Sequence, residues 1–262
     1  MGCIGKPCGY LNPSGSNFID GNKGSYNSAN NHGIRINPTS GYSSIVANNI
    51  CTNSGGDGIY LGGSPGGVVC NNQCGSNSNG IYASGYACSI VGNQCNGNAN
   101  CGISIIGTRL AVTGNSCESN SSAGISISGS SNTVAGNSLI NNLNSGILIL
   151  ANGSQNTVTG NGCLYNPTGI NIGGFCNTVA GNTVFSSNNS IIGILISNGM
   201  NTVTGNIILR GTGAPGNYTS TQYTILIDNG STDNLITNNL IMGKNYVNNG
   251  GATNTFANNK YN

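Results

Sequence analysis

The sequence predicts an all-β solenoid, a ribbon wound into coils of three short strands that pair in parallel with their copies in neighbouring coils. Three observations predict it. A small polar motif of the type "NTVTGN" recurs through all 262 residues. An apolar-x-apolar run, usually opened by Gly, starts ten to thirteen residues before the central apolar residue of each copy. Nothing between the copies has the 3.6-residue periodicity of a helix.

The motif comes first. An anchoring Val, Ile or Phe is followed two residues later by Gly or Asn and three residues later by Asn. The anchors are Ile19, Val46, Val69, Ile90, Val112, Val134, Val158, Val179, Val203, Ile236 and Phe256. The third residue after each is Asn without exception: Asn22, Asn49, Asn72, Asn93, Asn115, Asn137, Asn161, Asn182, Asn206, Asn239 and Asn259. Gly or Asn before that Asn suits a left-handed backbone position, where other residues are strained. The apolar-x-apolar runs, such as Ile103/Ile105, Ile125/Ile127 and Ile194/Ile196, alternate with period two and therefore read as strands. Most repeats are 21–24 residues long, and longer ones carry inserted loops, notably "GTGAPGNYTSTQ" at 211–222.

Composition narrows the classes further. Charged residues make up 5% of the chain and its net charge is +2, too weak and scattered a field for nucleic acid or an anionic membrane. Hydrophobic residues make up 36% and recur at fixed offsets, which excludes a disordered low-complexity segment. No stretch reaches the roughly 18–20 apolar residues of a membrane span. "MGCIGKPCGY" lacks the apolar core of a signal peptide, so export would use another route or follow removal of a leader. A leucine-rich repeat is excluded by scarce Leu and the absence of a helical segment. A calcium-binding nonapeptide roll would need an Asp in every repeat.

These repeats resemble the right-handed parallel β-helix superfamily, the pectate-lyase-like fold, and are most similar to its generic parallel β-helix repeats. The resemblance covers about residues 9–262 and leaves 1–8 as an N-terminal end segment. It implies about eleven rungs of about 22 residues, with a tight turn between second and third strands and an internal Asn ladder. At about 4.8 Å per rung the rod would be roughly 50 Å long. Proteins of this superfamily include carbohydrate-active enzymes, phage tailspikes and surface proteins.

Five residues after the anchor, Cys51, Cys74, Cys95, Cys117 and Cys163 alternate with Leu139, Val184, Ile208, Ile241 and Tyr261. Cys in exchange with apolar residues indicates a core column of free thiols; bridges between rungs fit the disulfide dihedral poorly. Cys3 and Cys8 flank a Pro where a bridge is feasible, and Cys70, Cys88, Cys101 and Cys176 lie in other columns. A single His and no Cys-x-x-Cys pair argue against a metal, and no cofactor is expected.

Candidate chemistry is confined to two consecutive repeats, "NNHGIRI" and "GGDGIYL". His32 and Asp57 both precede the strand Gly and should stack; Arg35 and Tyr60 share the next outward column, with Tyr82 above. This set could abstract a proton beside a uronate carboxylate held by Arg35, could bind a sugar without chemistry, or could be ordinary surface contacts. No second carboxylate is placed for glycoside hydrolysis. "TVT" at 157–159 and 202–204 resembles the Thr faces of ice-binding solenoids, interrupted by Ala135 and Ala180. Asn120-Ser121-Ser122 and Asn217-Tyr218-Thr219 form glycosylation sequons.

No capping helix is expected at either end, and both ends look ready to pair, as in a fragment, a trimer or an end-to-end stack. With a charge-poor exterior, this gives the expectation of an extracellular or cell-surface structural protein whose subunits join head to tail into a filament. The alternative is a polysaccharide-binding or polysaccharide-modifying β-helix, lyase-like, epimerase-like or tailspike-like.

Overall fold

The computed structural model describes residues 10–11, 18–25, 31–37, 43–186, 192–210, 223–243 and 246–261. The segment 1–8 with Cys3 and Cys8, the insertion at 211–222 and the sequon at Asn217 lie outside the described residues. The described chain forms three parallel sheets of eleven strands each and contains no helix. The first sheet runs from Tyr10–Leu11 to Val247–Asn248, the second from Phe18–Asp20 to Thr255–Ala257, and the third from Lys23–Ser25 to Lys260–Tyr261. Each strand pairs with the equivalent strand one coil away, so every coil visits the three sheets in turn.

The period-two pattern explains what fills the interior. In the first sheet the pairs Ile81↔Ile103, Ile103↔Ile125 and Ile125↔Ile147 stack directly, and all four side chains are buried. Val69, Ile90, Val112, Val134 and Val158 do the same from the second sheet, and the column Cys51, Cys74, Cys95, Cys117, Leu139, Cys163 from the third. Each buried Ile or Val contributes roughly 1.5–3 kcal/mol of transfer free energy. The Gly that opens most first-sheet strands has a packing reason. A Cβ on Gly80 would stand 2.8 Å from the Cβ of Cys95, and on Gly102 it would stand 2.8 Å from the Cβ of Cys117. The third-sheet core side chain occupies the space that any larger residue would need.

The Asn ladder is present along its whole predicted length, Asn22 to Asn259. Each Asn offers its Oδ1 to two donors of the preceding rung: Asn93 N–H and Asn93 Nδ2 both donate to Asn115 Oδ1 at 2.9 Å. Asn115 repeats the pattern on Asn137, and its Nδ2 also reaches the carbonyls of Ile90 and Thr113. A buried amide is thus satisfied by an identical amide one rung away. The residue before it is left-handed in every described rung of this corner, Gly21 (φ 67) and Asn48 (φ 55) among them.

The structure contains two further ladders that the sequence reading did not separate. One lies between the third and first sheets and runs Asn77, Asn98, Asn120, Asn142, Asn166. The other lies between the first and second sheets and runs Asn132, Asn156, Asn177, Asn201, Asn234, Asn254. "NTVTGN" therefore carries two ladder residues, one at each end of its strand. Asn120 is fully buried in such a ladder, so its sequon is closed to glycosylation in the folded chain. Tyr261 departs from its column: it is 40% exposed and stands 5.9 Å from Tyr246 in the last described coil.

No disulfide joins the described cysteines, as expected of a column that serves as apolar packing. Cys74 hydrogen-bonds with the thiols of Cys51 and Cys95. Burial pushes the Cys95 thiol well above its usual range and that of Cys163 up to about 12.

Two outcomes test this architecture. Asn115→Ala removes the acceptor of two buried donors and is expected to cost on the order of 3 kcal/mol, read as a lower urea midpoint. Exposed Asn152→Ala should stay within about 0.5 kcal/mol. In native protein at pH 8, a thiol reagent should label Cys70 and Cys176, which are half-buried, and spare Cys51, Cys74, Cys95, Cys117 and Cys163 until urea opens the coil. Labelling of the column in the folded state would overturn the dry-core assignment.

Candidate functional site

The parallel register places equivalent positions of successive coils one above another, so the predicted cluster can be built rung by rung. His32, Asp57, Asn79 and Cys101 occupy the position just before the strand-opening Gly. Asp57 N–H donates to His32 Nδ1 at 3.0 Å. Asp57 Oδ1 accepts from Asn79 N–H at 3.2 Å and Asn79 Nδ2 at 2.8 Å, and Cys101 N–H donates to Asn79 Oδ1 at 3.1 Å. These contacts form a short side-chain ladder like the Asn columns but of opposite sense, each rung donating to the side chain of the rung before it.

Asp57 Oδ2 lies 3.3 Å from His32 Nδ1. A single nitrogen cannot serve both partners. The two contacts belong to two tautomers: with the ring proton on Nε2, Nδ1 accepts from the Asp57 amide; with the proton on Nδ1, it donates to Asp57 Oδ2 and leaves Nε2 with a free lone pair. Asp57 is buried, with one oxygen committed to Asn79, which suits it to orienting His32 rather than to meeting a ligand.

Three residues further along the chain, Arg35, Tyr60, Tyr82 and Ser104 form the outward column. Tyr60 is its centre. The Arg35 guanidinium carbon lies 5.0 Å from the Tyr60 ring centroid, Tyr82 stacks at 5.0 Å with an interplanar angle of 5°, and the His32 ring is tilted at 4.8 Å. Gly62 makes the pose of Tyr60 possible. A Cβ there would stand 2.6 Å from Tyr60 Cε1 and 3.0 Å from its hydroxyl, so the ring lies back along its own strand. Tyr82 hydrogen-bonds with Ser84, also two residues on; burial, then the neighbouring Tyr60, raise its pKa above the usual phenol value.

His32, Asp57, Arg35 and Tyr60 are therefore brought together as the sequence predicted. A second cation–aromatic pair was not foreseen. Arg109 Nη1 donates to the Tyr86 hydroxyl, and its guanidinium carbon lies 5.2 Å from that ring centroid. Tyr86 follows Tyr82 and Ser84 in the outward set of the strand Ile81–Tyr86, a signal present in the alternation. Arg109 occupies a left-handed corner position (φ 58), and nothing in its local sequence marks it. Among the described residues no three of His, Cys, Asp and Glu come together in a way that could hold a metal ion. No helix among them is long and apolar enough to cross a membrane.

Comparison with known proteins places this geometry. The A-module of the mannuronan C-5 epimerase AlgE4 of Azotobacter vinelandii superposes with a TM-score of 0.67 at 12% identity, covering 92% of this chain and 78% of that one. The periplasmic alginate epimerase AlgG superposes with a TM-score of 0.74 at 14% identity, covering 94% and 69%. The Dettilon tailspike protein gives 0.69 at 16% identity, covering 87% of this chain and 58% of the tailspike. At such identities the likeness shows the fold. No curated relative matches the chain by sequence. The family model for the right handed beta helix region matches residues 10–163, more than half of the chain, and with three parallel sheets wound as described, the chain belongs to that right-handed β-helix family.

Proposed function

We propose that the chain binds an acidic polysaccharide outside the cytoplasm, on the outer face of the first sheet where Arg35, Tyr60, Tyr82 and His32 converge. The observation that carries the reading is the preorganised Tyr60 ring, set between the Arg35 guanidinium and the Tyr82 ring on a bare Gly62. Arg supplies planar paired donors for a carboxylate, and the adjacent tyrosines offer rigid apolar faces with polar tips. On a chain with so few charges, one oriented guanidinium dominates its surroundings. The two epimerase structures compared above, one named for mannuronan and one for alginate, support polysaccharide as the ligand. They favour it over the head-to-tail fibre, for which they offer no parallel, and the printed periplasmic location of one supports a site outside the cytoplasm.

The His32–Asp57 contact favours a catalytic extension of the same site. With Nδ1–H held by Asp57 Oδ2, His32 Nε2 would take the proton from the carbon next to a uronate carboxylate, leaving the electron pair on a carbanion that the carboxylate spreads and Arg35 offsets. Return of a proton from water to the opposite face completes epimerisation; departure of the adjoining glycosidic oxygen, which takes a proton from water, completes elimination.

Binding is checked by calorimetry with alginate and polygalacturonate oligomers. Arg35→Ala should weaken affinity about tenfold or more, a loss of about 1.4 kcal/mol, and wild-type affinity should fall with added salt. Gly62→Ala, which displaces Tyr60 and removes no polar group, should weaken it comparably. Wild-type affinity in both variants would sink the reading. For the catalytic extension, His32→Ala should abolish solvent-hydrogen exchange at the uronate carbon, followed by NMR, and keep the affinity; a wild-type protein that exchanges nothing reduces the site to binding.

A further inference from the structure

We propose that the Tyr86–Arg109 pair is a second pole of the same binding face, so that the ligand is a linear polyanion whose acidic groups recur, rather than a single acidic sugar. The inference rests on the binding reading above and extends it to residues outside the first cluster.

The two poles share one strand. Tyr82, Ser84 and Tyr86 are the outward residues of Ile81–Tyr86, with Ile81 and Ala83 buried between them. Four residues of extended chain separate Tyr82 from Tyr86 by about 13 Å. Each pole has the same composition, a Tyr ring with a guanidinium about 5 Å from its centroid: Arg35 on Tyr60 at 5.0 Å, and Arg109 on Tyr86 at 5.2 Å. Tyr60 and Tyr82 are stacked, so the first pole reaches the same strand that carries the second.

Between the poles no large side chain rises. On the strand below, Gly62 lies under the Tyr60 ring and Gly63 is open, and on the shared strand Ser84 is the outward residue between the two tyrosines. Register shifts beyond Ser84, where the strand Ile59–Pro65 takes an extra residue past Gly62. Exposed Ile106 borders the strip on the coil above, through the pairing Ser84↔Ile106. The result is an oblique strip with a tyrosine and a cation at each end and small residues between them. A monosaccharide can engage one end. Only an extended chain with carboxylates at intervals can satisfy both, and joining two weak contacts in one ligand raises affinity steeply with length.

The corner position of Arg109 also allows a brace that merely ties Tyr86 to the next coil, and the experiment separates the two roles. Affinity for uronate oligomers from disaccharide to hexasaccharide is measured by calorimetry on wild type, Arg109→Ala, Tyr86→Ala and Arg109→Lys, with circular dichroism and urea midpoints on each. The second pole predicts a wild-type affinity that climbs with length. In Arg109→Ala and Tyr86→Ala the climb should flatten, with hexasaccharide binding about tenfold weaker and disaccharide binding unchanged, and Arg109→Lys should recover part of the loss. A lowered urea midpoint in Arg109→Ala with wild-type length dependence assigns the pair to bracing and overturns the second pole. Arg35→Ala measured alongside keeps the readings apart, because its unchanged binding would overturn the first site whatever Arg109 does. Failure of the wild-type protein to bind any length would overturn both.

Discussion

The stacked asparagine amide is the interaction on which the rest of the molecule depends. Inside the coil an amide has no water to turn to, and each one is satisfied by an identical amide one rung away. That requirement sets the coil-to-coil register. Strands of three residues have too few ladder bonds to resist a slip by themselves, and a slip of one residue would turn the Ile and Val columns outward. An Asn column at a corner makes such a slip cost a buried donor and acceptor at every rung it crosses. Three such columns, one per corner, hold the coil where sheets alone would not.

Once register is held from inside, the outward positions are released from structural duty. Stability becomes a sum over neighbouring coils, and an outward side chain needs only to tolerate a strand. The second sheet shows the relaxed case, where Thr133, Thr157, Thr178 and Thr202 simply repeat. The first sheet shows the opposite. Between the coils of Arg35 and Arg109 the repeat is broken by Tyr60, Tyr82 and Tyr86, by bare glycines and by a register shift. The proposed binding face lies on such departures, since the repeating positions say only that a coil is made.

The interior follows the same division. The thiols of the third sheet exchange with Leu139 and Val184 because the column asks only for a small apolar volume, and the glycines of the first sheet supply the matching recess. Asp57 shows how the two regimes meet. Its position looks catalytic by residue type, yet one oxygen continues a backbone-linked ladder to Asn79, which leaves it to orient His32.

Much of this was legible in the residues alone. Parallel pairing with a constant period makes vertical neighbours a matter of subtraction, so the Asn22–Asn259 ladder, the Cys51 column and the stacking of His32 on Asp57 and Arg35 on Tyr60 could be read directly. The two other ladders escaped because their left-handed residues, Ser76, Arg109, Gln155 and Met200 among them, are not of the type that advertises such a backbone, and because Ser54 and Leu110 stand at ladder positions in some coils. The partnership of Arg109 with Tyr86 was hidden for a different reason. It crosses a corner, where the chain reverses its backbone hand and side-chain directions no longer follow from counting. The amino-acid order by itself determined the coil, its period and its interior columns, because those depend on backbone repetition. Only the tertiary structure decided which exposed side chains lean together, because that depends on where each corner points them.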